Sequence, residues 1–380
     1  MRRAQGFSLV ELMIALLIGL LITGSIISAF IATRTASRST AGIASLTDGG
    51  RIALDFLQQG IRSAGFMACN TPTRNVNLLT VGTSPVATDY GEPLGGYEAV
   101  GTIPGASVSS VSATATTAVT PDTRSADWAS TAALGGALDS MLAGEVVQGT
   151  DVLVVHTLLT QAASSPATVY LTAPAAANAT SITVSALGGL QSGQVAVISN
   201  CVTSVAVQIS SISGTVITLA QPLTTGFGAG SQVGVADTIA YFIGVDPTSH
   251  NSALFALDLE GMANPTSSNT RLKELVPDIE NMQILYGVDT TGSLAVTQYV
   301  TADQVATATA AGAGGFNGVL DVRIAVMAAS PLYAKPANPT SGAVVLPPAL
   351  MLDGTTVQPP ADTRLRRVFE TTVSVRNNAT

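Results

Sequence analysis

Residues 6–19 read GFSLVELMIALLIG and open an apolar stretch that continues to Ala32. Within this stretch the only charged residue is Glu11. A helix of about 26 residues reaches roughly 39 Å, which is enough to cross a hydrocarbon core of about 30 Å with some tilt. Arg2 and Arg3 precede the stretch and favour a cytoplasmic location for that end. The sequence therefore predicts a membrane-spanning helix at the N-terminus.

The carboxylate of Glu11 bears on the role of this helix. A carboxylate in the middle of a membrane costs about 2.5–3.5 kcal/mol, and the A-x-A cleavage site of an ordinary signal peptide does not follow the stretch. Glu11 is either tolerated near the interface or paired with a cation. Cleavage after Gly6 would supply that cation, because Phe7 would then carry an α-amino group one helical turn away, on the same chain or on a neighbour.

Charge is sparse along the whole chain. Its 380 residues include 16 Lys or Arg and 24 Asp or Glu, so the net charge is −8 and only 11% of residues are charged, whereas 47% are hydrophobic. This composition is too apolar for an intrinsically disordered chain. Nucleic-acid binding needs clustered cations, and the densest cluster is Arg364, Arg366 and Arg367. The sequence therefore predicts a folded protein that binds no nucleic acid.

The sequence lacks the patterns of common catalytic sites. His156 ends an apolar stretch and His250 lies among polar, turn-forming residues, which is typical of a buried structural histidine and of a surface histidine. The chain contains no G-x-S-x-G, H-E-x-x-H or C-x-x-C motif. We predict that the protein is not an enzyme and binds no cofactor.

The N-terminal helix is predicted to extend well beyond the membrane. From Ile43 to Ile61 apolar residues recur at spacings of three and four, which is the pattern of a helix with one face packed on the protein. Several glycines weaken its turns by about 1 kcal/mol each relative to alanine. Asn70 and Pro72 are expected to end the helix.

The rest of the chain is predicted to be mostly β-strand. Short runs rich in Val, Ile and Thr, with turn-forming residues between several of them, predict strands at Val152–Leu159, Thr168–Thr172, Ser181–Ser185, Gln194–Ser199, Val205–Ile209, Val216–Leu219, Thr238–Gly244, Ala253–Leu257, Met282–Val288, Leu320–Val326 and Phe369–Val375. In the run from Leu320 to Val326 apolar residues alternate, which predicts one buried and one wet face. Residues 101–120 and 331–360 are predicted to be surface loops.

The block from Thr168 to Val235 contains no charged residue. Its short strands are consistent with a small β subdomain inserted into the head, and equally with further strands of a single sheet. The sequence leaves both interpretations open.

Residues 6–19 resemble the class III signal of type IV prepilins and of the pseudopilins of type II secretion. In that family a membrane peptidase cleaves after the glycine and methylates the new N-terminal residue. The resemblance implies cleavage between Gly6 and Phe7, N-methylation of Phe7, and a role for Glu11 in setting register during assembly. It also implies an α+β type IV pilin fold, in which a long helix with an apolar N-terminal half packs on a mostly antiparallel β-sheet head.

Further blocks resemble PilW-type minor pilins, which are similar to the J-type pseudopilins of type II secretion. These blocks are residues 50–57, 61–69, 149–153, 279–289 and 366–377. The resemblance implies a minor pilin in a complex that primes pilus assembly, together with the major pilin, minor pilins of the PilV, PilX and FimT or FimU types, and a PilY-type adhesin. The chain would start in the bacterial inner membrane with a periplasmic head and end at the pilus tip, in a machine for adhesion and twitching motility.

The domain organisation follows from the helix and the resemblance. Residues 1–6 would be a leader that is removed, 7–32 the membrane-spanning half of the helix, and 33–68 its periplasmic half. Residues 69–380 would form the head, with a possible inserted β subdomain at about 168–235.

The only two cysteines are Cys69 and Cys201. Export would place both in an oxidising compartment, where a disulfide between them could stabilise the head by a few kcal/mol. The alternative is two free, buried thiols. We expect the disulfide.

A metal site is not predicted. Related chains often carry an acidic loop after a Tyr-Gly-Val-Asp sequence, but Asp289 is the only carboxylate in the corresponding residues 289–294. A Ca²⁺ site generally needs more than one carboxylate.

Two other functions remain open from the sequence. One is a J-type pseudopilin of a type II secretion system, and the other is a single-pass anchored binding protein whose helix is never cleaved. The mass of the mature N-terminus would test the second.

Overall fold

A computed structural model of the chain describes residues 9–68, 75–79, 88–102, 105–109, 128–129, 138, 142–159, 168–259, 272–308, 315–331, 349–351, 354–359, 362 and 364–378. The first element is a single long helix, α1, which spans Leu9–Ser63. A short helix, α2, spans Val305–Ala308. The remaining regular structure of the described residues is almost entirely β-strand, so the predicted α+β class is confirmed.

Helix α1 ends at Ser63, before the predicted end at Asn70 and Pro72, which lie outside the described residues. Gly65 has φ 69°, a left-handed conformation that glycine adopts at low cost and that ends helices. Its N–H donates to the backbone carbonyl of His156 at 2.8 Å. The helix therefore stops where its backbone first bonds to the head, and the prediction that it reaches residue 68 is wrong.

The strands are numbered in chain order: β1 Asn75–Asn77, β2 Leu94–Ala99, β3 Ser107–Ser109, β4 Trp128–Ala129, β5 Val152–Leu159, β6 Val169–Tyr170, β7 Ser181–Thr183, β8 Val195–Ser199, β9 Ser204–Ser213, β10 Val216–Leu219, β11 Gln232–Val245, β12 Ser252–Asp258, β13 Leu272–Pro277, β14 Ile279–Val288, β15 Gln298–Val300, β16 Val319–Ala329, β17 Ala349–Leu350, β18 Thr356–Gln358 and β19 Arg366–Ser374. Every predicted strand overlaps an observed one. Strands β2 and β13 were among those not predicted.

The largest sheet is organised around strand β11. The N-terminal part of β11 pairs with β6 and β8, and its C-terminal part pairs with β5 and β12, all antiparallel. A second sheet has the order β15-β14-β16-β19 and is also antiparallel. The second half of α1 packs on this second sheet, and both contribute to the main core of the head.

Strand β16 differs from its prediction on one face. Val322, Ile324 and Val326 lie in the main core, as the alternating pattern predicts. On the opposite face, Ala325 and Met327 are also buried, in a separate apolar cluster. The face that was predicted to be exposed to solvent is therefore accessible only toward the start of β16.

This second face of β16 is covered by two segments that were predicted to be surface loops. Strand β3 pairs in parallel with β18, which pairs with β17, and together they make a small three-stranded sheet. Val357 of β18 lies in the same apolar cluster as Met327. Sequence composition did not reveal these strands, because each has at most three residues.

Strands β6 to β11 form a closed ring. Neighbouring strands in the order β8-β9-β10-β7 are hydrogen-bonded, β7 meets the end of β6 through the bridge Leu171↔Val184, and β11 joins β6 back to β8. The interior is an apolar cluster whose buried members all lie between Val169 and Val235. This cluster is distinct from the main core of the head.

Candidate functional site

The first half of α1 is not buried against the described part of the chain. No residue between Leu9 and Ala41 is buried, and Leu9 and Leu20 are 75% and 76% exposed. By length and composition α1 could cross a membrane, with a mean hydropathy of 2.5 in its most apolar window. This surface is the strongest candidate for a functional site, because apolar area on this scale marks contact with lipid or protein.

The polar residues within this apolar half are satisfied by the helix itself. The hydroxyls of Thr23, Ser25 and Thr33 donate to the carbonyls four residues earlier at 2.7, 2.9 and 2.9 Å. A hydroxyl bonded in this way can face an apolar environment without leaving a donor unsatisfied. The Ser and Thr residues are therefore compatible with the lipid-facing role of this half.

Glu11 lies in the first turn of the described helix, on its exposed surface. Gly6 and Phe7, which the sequence assigned to cleavage and methylation, lie outside the described residues. Their roles stay predictions.

The second half of α1 is fixed tightly to the head by close contacts at glycines. Gly50 is buried, and a Cβ at this position would collide with the ring of Phe369. A Cβ at Gly60 would lie 2.8 Å from Cε2 of Tyr241. These glycines cost helix propensity, but they let the rings of β19 and β11 approach the helix backbone. The contacts fix the rotation of α1 about its own axis relative to the head.

Hydrogen bonds add to this docking near the C-terminal end of the helix. Gln58 Nε2 donates to Thr371 Oγ1 at 3.1 Å. The hydroxyl of Thr157 donates to the carbonyl of Ser63 at 3.0 Å, and Asn377 Nδ2 donates to the carbonyl of Ala64 at 2.8 Å. Strands distant in sequence thus hold one end of the helix, so the helix and head move together.

Two of the blocks that resemble PilW-type minor pilins meet in space and join the two large sheets. The backbone N–H of Asp151 donates to the carbonyl of Met282 at 2.9 Å, and the Asp151 carboxylate accepts from the N–H of Ile284 at 2.8 Å. Asn281 and Gln283 both donate to the carbonyl of Gly149 at 2.9 Å. These bonds hold the segment that precedes β5 against the backbone of β14. Residues 149–153 and 279–289 therefore have a structural role, which is to join the two sheets.

The arginines near the C-terminus form ion pairs inside the head. Arg364 is 1% exposed and pairs with Asp278 at 2.5 Å. Arg366 pairs with Glu280 at 2.6 Å and with Asp362 at 2.6 Å. These ion pairs clamp the start of β19 to the turn between β13 and β14. Two of the three clustered cations are thus paired with carboxylates of the head.

Burial also changes the ionisation of a carboxyl group in the head. Glu92 is 8% exposed, and its Oε1 accepts a hydrogen bond from the N–H of Phe316 at 3.2 Å. Desolvation, together with repulsion from Asp89, raises the pKa of Glu92 to about 8. Glu92 is therefore protonated at neutral pH in the folded head.

The two histidines have the environments that the sequence predicts. His156 is fully buried; its Nδ1 lies 2.9 Å from the carbonyl oxygen of Glu92, and its ring meets the edge of Tyr90 at 5.6 Å. His250 is exposed in the turn before β12.

The loop after β14 is organised by a single carboxylate. The Asp289 carboxylate accepts hydrogen bonds from the backbone N–H groups of Thr291, Gly292 and Leu294. Desolvation opposes ionisation here, but these donors outweigh it and lower the pKa of Asp289. Among the described residues, no group of three His, Cys, Asp or Glu is placed to hold a metal ion.

Cys201 lies in the turn between β8 and β9, with φ 65°. Cys69 lies outside the described residues. The chain on either side of it is described, however. Met67 packs against Val195 and Val197 of β8, and Asn75 pairs with Ser204 at the start of β9.

Two family models match the chain. One, described as Type IV Pilus-assembly protein W, matches residues 240–377, and the other, described as Prokaryotic N-terminal methylation motif, matches residues 1–27. The first match covers the strands that hold α1 and the two C-terminal blocks, and leaves out the ring of β6 to β10. No curated protein sequence matches the chain.

Similarity to solved structures is weak. The chain is 14% identical to the type IV-like pilin TTHA1219 from Thermus thermophilus over 49% of this chain and 86% of that one, with a TM-score of 0.18. It is 12% identical to the phage phi92 endosialidase over 47% of this chain and 31% of that one, with a TM-score of 0.14. Neither likeness carries an argument about fold or function.

Proposed function

We propose that this chain, which belongs to the PilW family of type IV pilus-assembly proteins, is a structural minor pilin that joins other pilins in a complex priming assembly at the pilus tip. The observation that carries the proposal is the division of α1, whose first half exposes apolar side chains while its second half lies in the core of the head. Such a helix can anchor the subunit in a membrane and then pack among other helices. An enzyme is not implied, because the family is structural.

The physical basis is an exchange of one apolar environment for another. In the membrane, the first half of α1 is surrounded by lipid. During assembly it would move into a bundle of neighbouring helices, so that little apolar surface becomes wet. Because α1 continues without a break into the head, this exchange would carry the head with it.

Processing at the N-terminus is the first step to test. The methylation-motif match at residues 1–27 supports cleavage between Gly6 and Phe7 and methylation of the Phe7 amino group. We expect the chain isolated from membranes to lack residues 1–6 and to carry one extra methyl group, measured by intact-protein mass spectrometry. We expect Gly6→Ala to remain at full length. An uncleaved wild-type chain would instead support a plain membrane-anchored binding protein.

Glu11 is proposed to set register by pairing with the amino group of Phe7 on an adjacent subunit. We expect Glu11→Gln to be processed normally but to enter pili about tenfold less, because an ion pair in a low-dielectric bundle is lost. Quantitative immunoblots of sheared pili measure this. Ser25→Ala, also on the exposed half of α1, serves as the control. Wild-type incorporation of Glu11→Gln would refute the register role.

The position in a tip complex is part of the same proposal. The partners would be minor pilins of the PilV, PilX and FimT or FimU types, a PilY-type adhesin and the major pilin, and the subunit would start in the inner membrane. A strain lacking the chain should lose surface pili. Normal piliation with impaired protein secretion would favour the alternative, a J-type pseudopilin of a type II secretion system.

The ring of β6 to β11 is proposed to be a subdomain inserted at about residues 168–235. Support comes from its closed hydrogen bonding, its own apolar cluster, and the position of β6 to β10 outside the family match. We expect hydrogen exchange on the full chain, followed by mass spectrometry, to show this ring opening as a unit separate from the main core. Exchange of both regions in one step would contradict a separate subdomain.

A disulfide between Cys69 and Cys201 is proposed to tie the end of α1 to this ring. The packing of Met67 on β8 and the pairing of β1 with β9 support it, because both bring the chain around Cys69 to the strands that flank Cys201. We expect a non-reducing peptide map to contain a Cys69–Cys201 pair. Alkylation of both thiols in the unreduced, denatured chain would contradict the pair.

A further inference from the structure

Strand β19 forms one edge of the second sheet. Among the described residues it pairs only with β16, and with nine residues it is the longest edge strand in the described part of the chain. The side chains of Glu370, Thr372 and Ser374 on this strand are exposed. An edge of this length presents a row of backbone groups to which another chain can bind.

The hydrogen bonds at the two ends of β19 define which of its backbone groups point away from the sheet. The N–H of Val375 donates to the carbonyl of Leu320 at 2.9 Å, and the N–H of Ser330 donates to the carbonyl of Leu365 at 2.8 Å. Both bonds continue the unbroken register between β16 and β19, in which such bonded pairs recur at every second residue. The odd-numbered residues of β19 therefore bond to β16, and the even-numbered ones direct their N–H and C=O groups outward. Within residues 368–374 the outward residues are Val368, Glu370, Thr372 and Ser374.

Strand β13, which lies at an edge of the larger sheet, differs from β19. Its ladder with β12 contains a register shift between Leu254 and Phe255, and its last residue is Pro277, which has no N–H to donate. Both features are typical of edges that avoid pairing with another chain. The ladder of β19 has no register shift, and residues 366–374 contain no proline. The edge of β19 is therefore suited to receive a further strand.

Three arginines flank this edge on the side of α1. The side of α1 that faces β19 is marked by Gln58, which bonds to β19. Arg51 and Arg62 lie two turns before and one turn after Gln58, so they share this side, and Nη2 of Arg62 donates to Oε1 of Gln58 at 3.3 Å. Arg367 projects from the α1 face of β19, with its Cζ 5.4 Å from the ring centroid of Phe369. All three arginines are exposed.

Carboxylates are fewer on this side of the edge. Asp55 lies on the same stretch of α1 and accepts a hydrogen bond from Gln59 at 2.9 Å. Glu370 is an even-numbered residue of β19, so its side chain points to the face of the sheet opposite α1. Cations therefore dominate the α1 side, although the net charge of the chain is −8. This distribution favours a partner that carries acidic side chains.

We propose that the open edge of β19 binds an extended segment of another protein of the pilus assembly, which adds a strand to the second sheet and places acidic side chains against Arg51, Arg62 and Arg367. The inference rests on the proposed pilin function and adds the surface and the chemistry of one partner. An extended backbone offers N–H and C=O groups at the spacing of residues 368–374, over roughly 20 Å. Alternate side chains of the segment face α1 and provide the selectivity.

The test uses the full-length chain in detergent and two synthetic peptides of about nine residues, in which Val alternates with Glu or with Lys. Hydrogen exchange, followed by fragmentation mass spectrometry, measures single amides of β19. The glutamate peptide should slow exchange at Glu370 and Thr372 about tenfold. The N–H of Thr371, which points to β16, should be unaffected, and the lysine peptide should protect neither group. Equal protection by both peptides, or protection by neither, would overturn the proposal.

A proline variant tests the outward backbone groups. Thr372→Pro removes an N–H that points away from the sheet, so the head should fold while protection of Glu370 by the glutamate peptide falls about tenfold. Thr372→Val keeps the N–H and should keep the protection. Trp128 is the only tryptophan and is buried in the head, so its fluorescence reports whether each variant folds. Wild-type protection in a folded Thr372→Pro variant would refute strand addition.

Charge reversal tests the arginines. Arg51→Glu combined with Arg367→Glu should remove protection by the glutamate peptide and allow protection by the lysine peptide. Lys273→Glu changes an exposed cation on β13 and should alter protection by less than about twofold. A double variant that still prefers the glutamate peptide would contradict selection by charge.

The assembled pilus separates this inference from the pilin function itself. In the chain recovered with sheared pili, the amides of Glu370 and Thr372 should exchange slowly without added peptide. A chain that is processed and assembled with these amides still exchanging fast refutes the binding edge alone. A chain that is never processed refutes the pilin function, whereas the peptide measurement still decides whether the edge binds an acidic strand. Protection that rises with the concentration of the isolated chain would identify a second copy as the occupant and would also overturn the proposal.

Discussion

The first half of α1 and the head distribute polarity in opposite ways. Between Leu9 and Ala32 the helix exposes an apolar surface, and no residue between Leu9 and Ala41 is buried. The head does the reverse, since it buries Arg364, Glu280 and Glu92 at 0–8% exposure. This difference indicates where each region makes its contacts. The apolar half of α1 needs an apolar environment from outside the chain, whereas the buried ionisable groups of the head lie among residues of the same chain.

The largest expected effect concerns the buried cation. Arg364→Met should destabilise the head by about 3–5 kcal/mol, because the fully buried Glu280 would keep only Arg366 as a partner and Asp278 would lose its ion pair with Arg364. Urea unfolding of the full chain in detergent, followed by Trp128 fluorescence, measures this. Arg367→Met removes an exposed cation nearby and should change stability by less than about 0.5 kcal/mol. A similar loss in both variants would contradict the buried network.

The next effect compares two leucines of the same helix. Leu57 is fully buried and Leu16 is 66% exposed. Leu57→Ala should cost the head about 2–5 kcal/mol by leaving a cavity, whereas Leu16→Ala should leave head unfolding unchanged. The same fluorescence measurement reports both. A loss of head stability in Leu16→Ala would contradict the conclusion that the first half of α1 makes no contribution to the stability of the head.

A pH effect follows from Glu92. Its pKa is about 8 in the folded head against 4.5 as the ordinary value, so the unfolded chain releases this proton at lower pH than the folded one. Stability should therefore fall as pH rises from about 4.5 to about 8, by on the order of 5 kcal/mol, and level off above that range. Because burial also raises the pKa of Asp237 to about 6, Glu92→Gln should remove the slope between about pH 6 and 8, whereas Glu370→Gln, an exposed control, should retain it. An unchanged slope in Glu92→Gln would show that another group is responsible.

The smallest effect compares two glycines. Gly50→Ala should destabilise the head by about 1 kcal/mol, because the strain against Phe369 exceeds the gain in helix propensity. Gly24 has open space around it, so Gly24→Ala should leave head unfolding unchanged. Combining Gly50→Ala with Phe369→Leu should recover part of the loss. A neutral Gly50→Ala would mean that the ring moves aside freely.

The sequence predicted what depends on local pattern. The apolar run and the three-and-four spacing up to Ile61 predicted the helix, and alternating or β-branched runs predicted most long strands. The helix ends before the predicted Asn70 and Pro72, because Gly65 adopts a left-handed conformation that turns the chain out of the helix. Only the head strand that receives its N–H shows why the chain turns there.

The sequence did not predict the features that depend on contacts between segments distant in the sequence. Strand β2 contains Gly95 and Gly96, which suggest a turn, yet β2 is buried throughout beside β5. The contacts of Asp151 with residues 282–284 likewise exist only in the folded arrangement. The predicted processing site is the opposite case, because the motif that includes Gly6, Phe7 and Glu11 is recognisable from the sequence alone.

The closed ring of β6 to β11 affects how readily neighbouring subunits can aggregate through their sheet edges. Before assembly, subunits held in a membrane are concentrated in two dimensions, where the open edge of one sheet can pair with that of the next and aggregate. Within residues 168–235, all of which the structure describes, the strands close on one another instead of ending in an open edge. An enlargement of the head built in this way adds surface without adding a site for uncontrolled strand exchange between neighbours.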